Sequence, residues 1–183
     1  MDSFSEQLIS RRKTAIDYVL LFLITLGGVL SVFVVVRFLF FLTAICFLLL
    51  VGIGWLAWYA ITSMNVEYEY TVTNGDIDID QIIGKRKRKR LVSVPHTRIE
   101  SLFPYSEQAL AGKNFDRIVM VASHKSAVTW CFTYRSKKSG HTLVLFEPNE
   151  RVFTELFNGL PRLMQMEIEK TGVTLPLTEN NEG

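Results

Sequence analysis

Six consecutive cations form the segment of this sequence with the most evident chemistry: Lys85, Arg86, Lys87, Arg88, Lys89 and Arg90. Near an anionic membrane surface, each basic side chain contributes about 1 kcal/mol of attraction, which decays over a Debye length. The run therefore predicts contact with anionic lipid headgroups. The net charge of the whole chain is only +2, so any such attraction must be local.

Acidic residues close to this basic run give it a second interpretation. Between residues 64 and 100, seven cations meet six anions. In a three-residue hairpin loop, Asp80 would oppose Arg88 and Asp78 would oppose Arg90. Each cross-strand pair of this kind adds a few tenths of a kcal/mol. Much of the basic run is then neutralised by the neighbouring strand.

Alternation along a strand limits how the six cations can be arranged. Consecutive side chains point to opposite faces, so six charges in a row cannot lie within a buried sheet. We expect Lys85, Arg86 and Lys87 to project from it and to be the free cations. Lipid contact, internal pairing and a protein partner remain open as roles for the run. No nucleic-acid partner is predicted, because the run lacks interleaved aromatic residues.

The residues that commonly carry catalysis are scattered. His96, His124 and His141 lie in different segments, without HExxH spacing, paired cysteines or a phosphate-binding glycine loop. Ser123 precedes His124, but adjacent strand residues point to opposite faces. The sequence predicts no enzymatic activity, no metal and no cofactor. A hydrolase would require Ser123, His124 or His96 to converge with a carboxylate.

A long polar connection, residues 104–114, is a further candidate for partner contact. Long connections in compact domains are often functional, although many are only mobile. The side chains suited to such contact are Tyr105, Glu107 and Lys113.

These polar segments follow a long apolar stretch, residues 15–61, whose charges are only Asp17 and Arg37. As one helix this stretch would run about 70 Å, whereas the hydrocarbon core of a bilayer is about 30 Å thick. The sequence therefore predicts a transmembrane helical hairpin that turns near residue 37. Aromatic anchors at one water interface are expected at Tyr18, Trp55, Trp58 and Tyr59.

Positive charge near the helix ends predicts the orientation of this hairpin. Arg11, Arg12 and Lys13 precede it and residues 85–90 follow it, whereas only Arg37 lies at its far end. Because positive residues stay in the cytoplasm, we expect both termini to be cytoplasmic.

Shorter features flank and interrupt the apolar stretch. Ser3 and Glu6 have the spacing of a capping box, which predicts a short interfacial helix over residues 1–14. Small residues in the two legs would permit close helix contact or have no packing role; they are Gly27, Gly28, Ser31, Ala44, Gly52 and Gly54.

A second domain is predicted over residues 64–170, followed by a mobile tail over 171–183. Apolar and polar residues alternate from Val66 to Thr73, and Asn74-Gly75 suits a type I′ turn into a second strand. Seven strands are expected in all. A helix follows from about residue 149, because an apolar stripe recurs at helical spacing at Val152, Phe153, Leu156, Phe157 and Leu160.

Seven antiparallel strands followed by an amphipathic helix resemble the pleckstrin-homology (PH) superfold, a bent sheet or partial barrel that the helix caps. The stretches VEYEYTVTNGDIDID, GKRKRKRLVSV and LFEPNE resemble an uncharacterised family of Firmicutes membrane proteins, a domain of unknown function. The resemblance covers nearly the whole chain. It implies a membrane α-helical hairpin followed by a mainly-β, PH-like cytoplasmic domain in a multi-pass protein of the bacterial inner membrane.

Two non-enzymatic functions fit this architecture. In the first, the hairpin holds the PH-like domain at the cytoplasmic surface as a docking or sensing module beside anionic lipid. In the second, the chain is a subunit of a membrane assembly whose domain binds a protein partner. The sequence predicts neither the lipid species nor the oligomeric state.

Overall fold

The computed structural model describes residues 4–39, 43–110, 112–122 and 129–170. The chain divides into two compact units. The sheet unit comprises Met1–Arg11, Glu67–Ile82 and Arg88–Gly183, and the helical unit comprises Arg12–Val66 and Ile83–Lys87. The predicted mobile tail, 171–183, lies outside the described residues.

Two apolar helices, α1 (Ala15–Leu39) and α2 (Thr43–Ser63), contact each other in the helical unit. In α1, Ala15–Arg37 is long and apolar enough to cross a membrane; the described apolar stretch of α2, Phe47–Ser63, is shorter. Helix α1 continues through Arg37 and ends at Leu39, so Arg37 itself is helical. Residues 40–42, next to the turn predicted near residue 37, lie outside the described residues. No Gly, Pro or Asn interrupts the helix there, and the connection lies between Leu39 and Thr43.

The glycines of these helices do not draw the two backbones together. A Cβ atom added to Gly27, Gly28, Gly52 or Gly54 would meet no atom within 4 Å. The Ser31 hydroxyl instead donates to the carbonyl of Gly27 at 2.7 Å within its own helix. Close backbone approach at these four glycines therefore does not account for the contact between α1 and α2.

The first sheet of the sheet unit has four strands in the order β1-β2-β3-β4. They are β1 (Phe4–Ser10), β2 (Val66–Thr73), β3 (Asp76–Ile83) and β4 (Lys87–Val94). Asn74 and Gly75 join β2 to β3 with positive φ angles of 52° and 84°, as a type I′ turn requires. The hairpin that the dipeptide predicts is present.

The predicted interfacial helix over residues 1–14 is wrong for the part that the structure describes. Residues 4–10 form β1, which pairs antiparallel with β2, so that Phe4 opposes Thr73 and Ser10 opposes Glu67. The helices α1 and α2 are consequently an insertion between two neighbouring strands of one sheet.

The pairing of β1 outweighs the local capping signal because it satisfies polar groups far along the chain. The Gln7 side chain donates to the carbonyl of Glu147 at 3.0 Å and accepts from the N–H of Asn149 at 2.6 Å. The inward-facing Ser5 is buried, whereas Phe4 and Leu8 are exposed. In β1 the polar residues face inward and the larger apolar residues face outward, which is the reverse of the usual pattern. The sequence pattern therefore does not predict this strand.

The second sheet has the order β5-β7-β8-β6, and β6 runs parallel to β8. Its strands are β5 (Ile99–Pro104), β6 (Arg117–Met120), β7 (Trp130–Ser136) and β8 (Gly140–Phe146), with a short helix α3 (Glu107–Leu110) after β5. The described residues thus contain eight strands. Seven lie at the predicted positions, and β1 is the addition. The predicted single sheet of antiparallel strands is wrong, because the strands form two sheets and β6 pairs parallel with β8.

The core of the sheet unit joins both sheets to the helix α4 (Glu150–Gly159). The Tyr70 ring of β2 meets Phe146 of β8 edge-on at 5.9 Å, and its hydroxyl donates to the carbonyl of Val121 at 2.7 Å. Phe153 of α4 packs on Trp130 of β7 with ring centroids 4.4 Å apart. A second helix, α5 (Arg162–Lys170), follows α4 and contacts β5.

Candidate functional site

The basic run begins in the tight connection between β3 and β4, which consists of Gly84, Lys85 and Arg86. Gly84 and Lys85 have positive φ angles of 58° and 57°, and the N–H of Arg86 donates to the carbonyl of Ile83 at 3.1 Å. The N–H of Gly84 donates to the carbonyl of Asn65 at 2.7 Å. The connection is therefore hydrogen-bonded to the residues that follow α2.

Arg86 is bound to the C-terminal end of α2 rather than free. Its guanidinium donates to the Thr62 hydroxyl at 2.7 Å, to the Ser63 hydroxyl at 3.0 Å and to the carbonyl of Tyr59 at 3.2 Å. It also lies 4.2 Å from the ring centroid of Tyr59 and 5.3 Å from that of Trp58. A cation is favourable here because the C-terminal end of a helix carries partial negative charge.

Arg88 and Arg90 face a cluster of carboxylates on β2 and β3. Arg88 pairs with Glu69, and its Nε lies 3.1 Å from Asp80. Arg90 binds Asp80 with two hydrogen bonds, of 2.8 and 3.2 Å, and its Nη1 lies 2.9 Å from Asp78. The ion pairs of Asp80 with Arg88 and of Asp78 with Arg90, which the sequence predicts, are both present.

The burial of the carboxylates indicates that this cluster has a structural role. The side chains of Glu69 and Asp80 are each only 10% exposed, whereas both arginines are about half exposed. The hydrogen bond to Asp80 raises the pKa of the Arg90 guanidinium above its ordinary value. Two nearly buried carboxylates therefore depend on Arg88 and Arg90 for their counter-charge, and the two arginines act mainly within the fold.

The three lysines of the run are different. Lys85, Lys87 and Lys89 are all exposed, and none of them makes an ion pair with a residue that the structure describes. The expected set of free cations, Lys85, Arg86 and Lys87, is thus corrected at Arg86. The cations of the run without an ion-pair partner among the described residues are therefore the lysines, which occupy every second position.

A family model described as "Bacterial PH-like domain (DUF6106)" matches residues 1–166. The chain belongs to this family. The matched range includes β1 and both apolar helices, so the PH-like family match spans the insertion as well as the sheets. Searches of curated proteins and of solved structures found no significant match.

The predicted interface aromatics lie on the helices that interrupt the PH-like domain. Tyr18 on α1 and Trp55, Trp58 and Tyr59 on α2 are all exposed. Trp55 stacks on Tyr59 with ring centroids 5.5 Å apart. Trp58 and Tyr59 of α2 therefore both lie against the guanidinium of Arg86, a cluster that their separation in the sequence does not reveal.

The connection after β5 in the PH-like domain is more ordered than its polar composition predicts. Tyr105 and Leu110 pack against an apolar cluster on the second sheet that includes Cys131, and the Lys113 ammonium lies 4.6 Å from the ring centroid of Phe103. Burial raises the pKa of the Cys131 thiol to about 12. Of the three candidate partner residues, Glu107 on α3 and Lys113 are exposed, whereas Tyr105 is half-buried.

The histidines that the structure describes in the PH-like domain pair with carboxylates. The Nδ1 of His96 lies 2.7 Å from Asp76, and the Nε2 of His141 lies 3.3 Å from Glu100. A hydrogen bond from the backbone N–H of His96 is the main cause that lowers the pKa of Asp76. Ser123 and His124 fall in a segment, 123–128, that is outside the described residues. Among the residues described, no group of three His, Cys, Asp or Glu is placed to hold a metal ion.

Proposed function

We propose that this chain is a non-enzymatic integral membrane protein of the bacterial cell membrane, in which two membrane-spanning helices hold the PH-like domain at the cytoplasmic surface. The domain serves there as a docking module beside anionic lipid. The pairing of β1 with β2 is the observation that carries the proposal.

Strand pairing constrains how often the insertion crosses a membrane. Ser10 opposes Glu67, so the two chain ends that flank α1 and α2 are held next to each other. A chain that leaves and re-enters one folded sheet must cross a bilayer an even number of times. Because α1 is long and apolar enough to cross once, α2 makes the return crossing in this proposal.

The surfaces of the two helices support the same arrangement. Large apolar side chains remain exposed on both helices, including Phe22 (64%), Phe33 (69%) and Leu48 (69%). Contiguous apolar surface of this kind is unfavourable in water and marks a membrane or protein interface. Both helices are apolar around their whole circumference, as expected of segments surrounded by lipid.

The placement of charge supports a cytoplasmic PH-like domain. Arg11, Arg12 and Lys13 precede α1, and positive residues next to a spanning helix favour the cytoplasmic side. The exposed lysines of the basic run, Lys85, Lys87 and Lys89, then supply about 1 kcal/mol each of attraction to anionic lipid, wherever they come within a Debye length of the surface.

Cysteine accessibility in intact cells tests the proposed topology. Cys46 is replaced by alanine, and a single cysteine is introduced at Arg37 in one variant and at Gly183 in another. We expect a membrane-impermeant maleimide to label position 37 from outside the cytoplasmic membrane and position 183 only after permeabilisation. The native Cys131 serves as the internal control, because a buried thiol of raised pKa reacts slowly.

Two results would contradict the proposed topology. Labelling of position 183 in cells whose membrane is intact would place the domain outside and overturn the proposal. Recovery of the full chain in the soluble fraction after lysis, without detergent, would overturn it as well.

Amide hydrogen exchange tests the lipid role of the three lysines. The full chain is placed in nanodiscs of phosphatidylcholine alone or of phosphatidylcholine with phosphatidylglycerol. We expect the anionic lipid to slow exchange in residues 84–90, because the three lysines of this segment are drawn to the charged surface. The triple variant K85Q/K87Q/K89Q should lose this difference between the two lipid compositions.

A matched variant separates this effect from a change in overall charge. The variant R151Q/R162Q/K170Q also loses three positive charges, from exposed positions on α4 and α5, but keeps the three lysines, so its lipid-dependent slowing should persist. If the wild-type chain exchanges equally in both lipid mixtures, the lysines have no lipid role. The topology result would stand independently of that outcome.

A further inference from the structure

A second basic surface lies on the sheet unit, away from the run at residues 85–90. It is a cavity of about 290 Å³, bounded by β4, by the start of β6 and by the connection from β7 to β8. Five of its described lining residues are cationic and none is acidic: Arg98, Arg117, Arg135, Lys137 and Lys138. We call this cavity the arginine pocket.

Most of these cations have no counter-charge among the residues that the structure describes. Arg98, Arg117, Lys137 and Lys138 are exposed and make no ion pair with any described residue. Arg135 has a loose partner, with its Nε 3.6 Å from the Glu100 carboxylate. Arg88 and Arg90, by contrast, are matched by carboxylates, so among the described residues the cations of this cavity are less neutralised than the arginines of β4.

The pocket is assembled by rigid elements rather than by one flexible loop. Tyr134 and Arg135 come from the end of β7, which pairs with both β5 and β8. The Ser136 hydroxyl accepts from the N–H of Lys138 at 3.3 Å and so orders the connection that carries the lysines. The five cations come from three separate segments of the chain and repel one another, so holding them around one cavity is unfavourable unless an anion is present.

We propose that the arginine pocket binds the phosphate group of a small phosphorylated ligand, either soluble or the headgroup of a lipid. Arginine presents several N–H donors in a planar fork that matches phosphate oxygens, and lysine adds a point charge. Serine hydroxyls at positions 93, 136 and 139 line the same cavity and supply neutral hydrogen bonds. The volume is at the lower end of small-molecule sites, which are about 300–1,000 Å³.

This proposal extends beyond the tethering role and does not require it. The basic run is expected to respond to any anionic surface, whereas a cavity lined by several arginines and lysines suits a single phosphate group. Phosphatidylglycerol has a phosphodiester with one negative charge. A terminal phosphate, as in pyrophosphate or phosphatidic acid, offers more charge and more acceptor oxygens to the arginine forks.

Isothermal titration calorimetry of the full chain in a nonionic detergent, with inorganic pyrophosphate as the probe, tests the pocket. We expect saturable binding that weakens about tenfold or more in R98Q/R117Q, since charge-assisted hydrogen bonds are lost. The control variant R151Q/R162Q loses the same charge from exposed positions on α4 and α5. Its affinity should stay within about twofold of the wild type, because exposed charges outside the pocket act weakly.

A lipid arm identifies the source of the phosphate. The full chain is placed in phosphatidylcholine nanodiscs with phosphatidic acid or with phosphatidylglycerol, and amide exchange is followed in residues 134–139. Slowing by phosphatidic acid that R98Q/R117Q abolishes assigns the pocket to a lipid headgroup. Binding of pyrophosphate without such slowing assigns it to a soluble phosphate.

The proposal fails if the wild type responds to neither probe. It also fails if R98Q/R117Q and R151Q/R162Q weaken binding equally, because the effect would then come from net charge. Thermal unfolding midpoints of both variants, measured without ligand, confirm that each variant is folded. A negative result here would leave the labelling of positions 37 and 183 unaffected, so the two proposals can fail separately.

Discussion

Replacing Arg88 and Arg90 together with glutamine is expected to lower the free energy of unfolding of the PH-like domain by about 2–4 kcal/mol. The substitution leaves Glu69 and Asp80 without their cations, and both carboxylates are only 10% exposed. Removing one partner of a buried ion pair typically costs about 3–5 kcal/mol. The expected value is slightly lower because both arginine side chains are half exposed. Urea unfolding of the full chain in detergent, followed by near-ultraviolet circular dichroism, measures the loss.

The neighbouring lysines provide the matched control for this variant. K87Q/K89Q removes the same charge from the same strand, but neither lysine has an ion-pair partner among the described residues. Its stability should change by no more than about 0.5 kcal/mol. Adding E69Q and D80N to R88Q/R90Q should recover part of the loss, because the uncompensated charges are then gone. Equal destabilisation by the lysine and arginine pairs would contradict the assignment.

Phe153→Ala is expected to destabilise the domain by about 3–5 kcal/mol. Phe153 is fully buried on α4 and packs against Trp130 with 4.4 Å between ring centroids. Truncating a buried phenylalanine removes its transfer free energy and leaves a cavity that the surrounding core fills only in part. The same urea titration measures the change, and the near-ultraviolet signal of Trp130 should weaken as its environment loosens.

A substitution at the next position isolates the packing effect. Thr154 is exposed on the same helix, so Thr154→Ala should alter the unfolding free energy by no more than about 0.5 kcal/mol. If Phe153→Ala were as mild as this control, α4 would not be part of the core, and the arrangement of α4 against the second sheet would be wrong.

The strands that the sequence predicts correctly are those whose alternation places apolar residues inward. In β2, Tyr68, Tyr70 and Val72 are buried, and the period of two is evident in the sequence. Strand β1 is different because its inward side carries Ser5 and Gln7, and its pairing depends on β2 beyond the whole helical insertion. The end of α1 at Leu39 is predicted only approximately, from length alone, because no turn residue marks it.

The candidate sites also differ in whether local sequence patterns predict them. The pairing of Asp80 with Arg88 follows from strand register around a short loop and could be predicted. The contact of Arg86 with α2 depends on how the β3–β4 connection meets a helix end, and no local pattern encodes it. The arginine pocket gathers Arg98, Arg117 and residues 135–138 from three separate segments, so only the tertiary structure brings these charges together.

Strand β1 has a practical consequence for preparing the PH-like domain without its helices. A shortened chain that starts after α2 would lack β1, and β2 would become the outermost strand with its hydrogen-bonding groups unpaired. Such an open border recruits other chains and promotes aggregation. A soluble version should therefore keep residues 4–10 and replace α1 and α2 with a short polar linker, which the adjacency of Ser10 and Glu67 makes feasible.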